Sequence, residues 1–365
     1  MSFTQLNPSD FVVSSDAITA PAWSSNVPTL TSFYTASTPT TTGISAGAYY
    51  LNVYQQPYGS NGAAVQFAIA YGNINGSGSK WLNNLVPGVS PSLTTYNQYQ
   101  TLVYGPEVTG SQGFNFGGAA LRSPDIWVLN IDRNRYKQSL MPGTFTLQLK
   151  NGNNIVNICD NSNDSSVINY LDCGRVFNLV SGSYGKATTS NPIGAIAPGY
   201  TVSGSYGYFL PDIGTIILNP GALALSPVSG GISISRDLSS NPNLPSSSLN
   251  NTYLYQAISA SGALPVTSST IGPAGFQLNS QENVSSDYVF VRIGNADYNY
   301  STNPTFTSGS SGAVLYNTMV YSPQTFVTTV GLYNNNSELL AVAKMSQALV
   351  KDFTKEALIR VKLDW

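Results

Sequence analysis

Histidine is absent from all 365 residues, which removes Ser-His-Asp triads, Cys-His pairs and His-ligated metal centres from the chemistry open to this chain. Its two cysteines, Cys159 and Cys173, are too few for a protein-only zinc site, and they read as reduced structural thiols or as a pair across a hairpin. Two carboxylates suffice for glycoside hydrolysis, and Asp125, Asp132, Asp160, Asp164, Asp172, Asp212, Glu282 and Asp287 are available. No spacing among them singles out an acid and a base, so no catalytic residue, metal ligand or cofactor is expected. Asp160-Asn161-Ser162-Asn163-Asp164 places oxygens at alternate positions, as calcium loops do, but lacks the sixth-position glycine and the downstream glutamate. A polar loop between strands is the favoured reading. Arg133, Arg135 and Lys137 alternate, so on an extended segment they would share one side and meet a carboxylate-bearing partner or guard a strand edge.

The segments that would carry these residues are strand-like. Runs at 49–54 and 64–71, at 123–131, and at 143–150 with 154–159 across an Asn-Gly turn read as strands, the last two as a hairpin. Further strands are expected at 208–210, 214–218, 288–293 and 325–333. Residues 357–365 alternate apolar and charged residues, as a closing strand with one solvated face should. Leu339 to Gln347 reads as strand or helix. Tyr96, Tyr99, Leu102 and Val103 fall on one face of a short helix over 94–104. The hexapeptide Val-Ser-Gly-Ser-Tyr-Gly occurs at 180–185 and at 202–207; two copies mark strand ends or turns rather than a repeat array.

Charged residues make up 9% of the chain and net charge is −2. An average soluble protein carries roughly 25% charged residues. Such a surface has little colloidal protection of its own, which suits a subunit covered by neighbours or a secreted β protein. With no long basic run, nucleic-acid binding is not expected. No run is apolar enough to span a membrane, and Met1 to Phe11 lack the features of a secretory leader.

The expected fold is mainly β, with antiparallel sheets in sandwich-like subdomains, long loops and a few short helices. The expected organisation is an extended N-terminal arm at 1–45, a β domain at 46–225, a Ser/Pro-rich loop or linker at 226–250 and a C-terminal β subdomain at 251–365. A single closed unit would result if the C-terminal strand returned to an N-terminal sheet. The arm, with aromatic residues such as Phe11 and Trp23 but no alternation, reads either as packing on a neighbour or as a disordered terminus. Nine charged side chains crowd the last 28 residues, among them Lys355, Arg360 and Lys362. The residues expected to contact partners are Phe11, Trp23, Arg133, Arg135, Lys137, Lys355, Arg360 and Lys362.

Several segments resemble a family of virion structural proteins of contractile-tailed phages that infect cyanobacteria and marine bacteria. They include Phe67 to Gly72 with the Gly/Ser loop after it, Asn97-Gln98-Tyr99 and Tyr208 to Gly214. They also include Asn299-Tyr300-Ser301 with Asn303 to Phe306, Val330 to Tyr333 with Leu339 to Lys344, and the closing Lys355 to Trp365. The similarity is patchy and densest from about residue 288 onward. It implies a non-enzymatic, wedge-type subunit of the tail or baseplate, assembled in the host cytoplasm in multiple copies. Its partners would be other virion structural proteins. The alternatives are a fibre or spike that binds host-surface glycan, a capsid or neck decoration protein, and a carboxylate-dependent polysaccharide hydrolase.

Overall fold

The computed structural model describes residues 4–37, 50–76, 92–105, 113–118, 122–164, 168–188, 199–238, 246–262, 275–301 and 303–364. Ser77 to Lys80 of the Gly/Ser loop, residues 1–3 and 38–45 of the expected arm, residues 46–49, residues 239–245 and Trp365 lie outside them. Along the chain, β1 (Phe11–Pro21), β2 (Thr29–Leu30), β3 (Tyr34–Ser37), β4 (Tyr50–Tyr54) and β5 (Val65–Asn73) precede helix α1 (Ser92–Tyr104). Next come β6 (Asp125–Ile131), β7 (Ser139–Leu140), β8 (Thr146–Asn151), β9 (Asn154–Asp160) and β10 (Asn169–Leu171). They are followed by β11 (Gly174–Ser183), β12 (Lys186–Ala187), β13 (Gly207–Leu210) and β14 (Thr215–Leu218). Helices α2 (Pro220–Ala224) and α3 (Ser246–Gly262) lead to β15 (Phe276–Gln277) and the long β16 (Asn279–Ile293). The chain ends with β17 (Thr307–Ser308), β18 (Ala313–Val314), α4 (Asn317–Tyr321), β19 (Thr325–Tyr333), β20 (Leu339–Lys351) and β21 (Ala357–Asp364). The fold is mainly β and antiparallel, with short helices.

The chain forms two compact units. Unit 1 is Met1–Ala17 with Asn283–Trp365, and unit 2 is Ile18–Glu282. These boundaries differ from the expected ones at 45, 225 and 250. Residues 226–238 belong to unit 2 because Gly231-Ile232-Ser233-Ile234 buries both isoleucines in its core. Asn151 also donates its side-chain amide to the Ile232 and Ser233 carbonyls at 3.1 and 2.9 Å. The Ser- and Pro-rich composition concealed this short alternation.

Unit 2 is built on one sheet in the order β2-β15-β8-β9-β11-β13-β14-β6-β5-β4-β3. Its two end strands, β2 and β3, are joined by only three residues, so the sheet has to roll. Two rings record the rolling: Phe67 on β5 and Phe276 on β15 lie 5.3 Å apart although many strands separate them along the sheet. Helix α3 packs on the inner face against β4, β5 and β8 through Leu254, Ala257 and Ile258. Its i, i+3, i+4 stripe is short, and Ser and Asn dominate its start, so the sequence pattern did not reveal it. Helix α1 covers the other face, where Tyr96 and Val103 join Phe114, Ile126, Val128 and Ile217; this is the face expected from the sequence. The β8–β9 hairpin also forms, turning at Gly152-Asn153 with Gly152 at φ 60, which glycine adopts without strain.

Trp23 closes the roll. Its ring lies 4.8 Å from Phe276 and 6.3 Å from Phe67, and its indole N–H donates to the carbonyls of Phe276 and Pro28, each at 3.0 Å. The next residue is held by buried Gln66, which accepts from the Ser24 N–H at 3.0 Å and donates to its Oγ at 2.8 Å. Trp23 is 2% exposed, so the expectation that it contacts a partner is corrected. It is an internal anchor, because an isolated aromatic in a Pro-rich segment found its pocket within its own chain. Replacing Trp23 by alanine is expected to destabilise unit 2 by about 3–5 kcal/mol, and Trp23→Phe by less. Urea unfolding followed by the fluorescence of the other tryptophans checks this.

Candidate interaction surface

The side chains able to do chemistry are mostly engaged in holding the fold. Asp125 is fully buried, and its Oδ1 lies 2.9 Å from the Arg236 guanidinium. Its Oδ2 accepts from the Tyr71 hydroxyl at 3.1 Å. Burial pushes the Asp125 carboxyl up, against the opposing pull of Arg236, Tyr71 and Ser123. Beside this group Asn250 clamps the Asp237 backbone, accepting from its N–H at 2.8 Å and donating to its carbonyl at 3.0 Å. The Trp127 indole donates to the Asn250 carbonyl at 3.1 Å. The network therefore fastens residues 236–237 and α3 to the rolled sheet.

Asp212 takes a forked contact from Arg175, with guanidinium nitrogens 3.0 and 2.6 Å from Oδ1, and accepts from the Arg175 backbone N–H at 2.7 Å. Burial raises its carboxyl, but the Arg175 hydrogen bonds outweigh burial and hold it below the usual carboxylate range.

The loop after β9 uses its oxygens on backbone. Asp160 Oδ2 accepts from the N–H groups of Gly143 (2.8 Å) and Ser162 (3.3 Å), Asn161 Oδ1 from that of Asn178 (3.0 Å), and the Asp164 carboxylate from that of Ala187. Among the described residues no three of His, Cys, Asp and Glu come together as metal ligands. Both thiols are free. Burial, with Asp160 adding to it, pushes Cys159 up to about 12, so its sulfur is a protonated donor to the Lys186 carbonyl at 3.3 Å.

The residues expected to meet partners divide between the units. Arg133, Arg135 and Lys137 lie in unit 2, but Arg133–Arg135 is a 3-10 turn in which the Asp132 side chain accepts from the Asn134 N–H. The three therefore do not line one side of a strand, and that expectation is corrected; a 3-10 turn rotates about 120° per residue. Arg133 folds back over the Tyr136 ring at 4.6 Å and donates to the Tyr136 carbonyl at 2.6 Å. Phe11, Lys355, Arg360 and Lys362 lie in unit 1. Phe11 is 51% exposed on β1. Lys355 pairs with Asp352 at 3.1 Å within a turn. Arg360 and Lys362 flank Tyr288 at 5.4 and 6.0 Å on one face of the β16–β21 ladder, and Lys362 also meets Asp364 at 2.9 Å.

The feature that sequence reasoning missed is an imbalance in unit 1. Among its described residues only Val289, Ile293 and Val361 are buried apolar side chains. They line one face of a sheet ordered β1-β16-β21. Phe326, Leu339, Leu340, Val342, Tyr321 and Leu358 are all more than half exposed. β19 and β20 form a two-stranded ribbon that no third described strand joins. Such a ribbon is marginal in water unless something covers it. The ribbon's base is fastened by Lys351, whose Nζ is fully buried and donates to the Asn295 carbonyl (3.0 Å), Asn299 Oδ1 (2.7 Å) and the Asp352 carbonyl (2.8 Å). β19 was legible as a strand and β20 was left open between strand and helix; only the structure shows that the ribbon buries no apolar side chain.

Comparison with known proteins gives no relative: no family model, no curated protein and no solved structure matches this chain. Replacing Lys351 by methionine leaves the buried Asn299 Oδ1 without this donor, at about 1–3 kcal/mol, and removes one donor each from the Asn295 and Asp352 carbonyls. Amide exchange at 295–299 and 349–352 is expected to accelerate by at least about tenfold, while β8 and β14 stay unchanged.

Proposed function

We propose that this chain is a non-catalytic structural subunit of a phage virion, placed in the contractile tail or baseplate, where it joins neighbouring subunits in multiple copies. The observation that carries this reading is unit 1, roughly a hundred residues with three buried apolar side chains among the described ones and rows of exposed ones. Monomeric proteins rarely expose large contiguous apolar surface, and such surface marks interaction sites. Covering it with neighbours would supply the core that unit 1 lacks. The resemblance of the segments between about 288 and the C-terminus to virion structural proteins supports the phage assignment, and those segments fall in unit 1. A protonated, buried Cys159 and carboxylates engaged by arginine and backbone N–H groups support a non-catalytic role.

A second reading, a fibre or spike that binds host glycan, draws on the exposed tyrosines Tyr300, Tyr316 and Tyr321 (66%, 58% and 93% exposed) as stacking platforms. Mass spectrometry of purified contractile-tailed particles is expected to find this chain. Immunogold labelling against residues 338–365 is expected at the tail end opposite the head. Label on distal fibres together with binding of the free chain to host cells would favour the glycan reading, and label on the head or neck a decoration role. Absence of the chain from the particles would overturn the virion assignment.

A further inference from the structure

β19, Thr325–Tyr333, contains no charged residue and no proline. It pairs with β20 on one side and with no other described strand. Exposed edge strands are ordinarily guarded by charges, prolines or bulges. The two irregularities of this hairpin place their extra residues in β20: four residues separate Lys344 from Leu349 where only Thr328 separates Val327 from Thr329, and Leu340 is extra opposite Leu332 and Tyr333. β20 also carries Lys344 within the ladder. The blunted edge is therefore that of β20, and the open edge is that of β19.

We propose that the outer edge of β19 pairs antiparallel with β19 of a second copy of this chain, giving a four-stranded sheet, β20-β19-β19-β20, across a two-fold axis at Thr329. This inference rests on the assembly reading and names its partner. Self-pairing suits the edge because an uncharged strand laid against itself sets no like charges opposite each other. A partner strand carrying charge would place that charge against apolar neighbours instead. Two-fold pairing centred on Thr329 sets Phe326 opposite Leu332 of the other copy, and Val327 opposite Gly331. Aromatic–aliphatic cross-strand pairs of this kind stabilise sheets. A two-fold contact is also closed, so it joins two chains and stops.

The test uses the full chain and sedimentation velocity over a range of concentrations. The wild-type chain is expected to show a monomer–dimer equilibrium. Thr329→Glu faces Lys344 within its own hairpin, a favourable cross-strand pair, but meets its own copy across the axis. It is expected to weaken dimerisation at least about tenfold, because like charges directly opposite each other repel. An equimolar mixture of Thr329→Glu and Thr329→Lys chains is expected to restore a heterodimer. A wild-type chain that stays monomeric at every concentration, or a Thr329→Glu chain that dimerises as tightly as wild type, would overturn the pairing. If that monomeric chain is nonetheless found in purified particles, the pairing fails and the assembly reading stands.

Discussion

Trp23 packs between Phe67 and Phe276 and so joins opposite parts of the rolled unit 2 sheet. Its ring fills the gap between Phe67 and Phe276, and its N–H bridges the carbonyls of Pro28 and Phe276. Rolling solves two problems together. It lets α3 pack on the inner face against β4, β5 and β8, and it accommodates end strands β2 and β3 that only three residues join. The Phe67–Phe276–Phe145–Phe209 run of rings, each 5.3–5.6 Å from the next, then continues the packing across the interior. Aromatic pairs at such spacing add stabilisation beyond the area they bury.

Polar groups complete the same enclosure. A carboxylate placed as deep as Asp125 is costly unless it is paired, and its partner, Arg236, follows the segment that Ile232 and Ile234 anchor in the core. The pair therefore fixes residues 236–237, and Asn250 carries that constraint into α3. Unit 2 has an extensive apolar interior, and its buried Asp125 is paired with Arg236. Unit 1 has the opposite character. Its sheet buries three apolar side chains among the described residues, and its ribbon, anchored at the base by Lys351, buries none. A chain that keeps one unit complete and the other open to neighbours is what a building block requires, and the scarcity of charge across the sequence fits a surface that neighbours cover.

Most strands were legible because their signals are local: β8 and β21 follow from alternation, β4, β5, β6 and β9 from strand-like runs bounded by turns, and α1 from the spacing of Tyr96, Tyr99, Leu102 and Val103. Three things were not legible, for physical reasons. Among its described side chains, helix α3 buries Leu254, Ala257 and Ile258 in the core with Tyr253 and Tyr255 partly buried beside them, a short stripe preceded by serines and asparagines. The role of Trp23 depends on Phe276, some 250 residues away, and no local pattern encodes such a contact. The division into units was misplaced because both termini belong to unit 1, with β1 and β21 in the same sheet. Of the candidate contacts, Phe11, Arg360 and Lys362 lie at the surface of unit 1. Trp23 turned inward, and a 3-10 turn dispersed the basic triplet from 133 to 137.

The central claim is that unit 1 is completed by neighbours, and amide hydrogen exchange measures this most directly. In the isolated chain, at a concentration where it is monomeric, the amides of β19, β20 and β21 are expected to exchange at least about a hundredfold faster than those of β6, β8 and β14; this corresponds to a difference of about 2.7 kcal/mol in opening free energy. In assembled particles the gap is expected to close. Equal protection of the two sets of strands in the isolated monomer would show that unit 1 is stable alone, and would contradict the account.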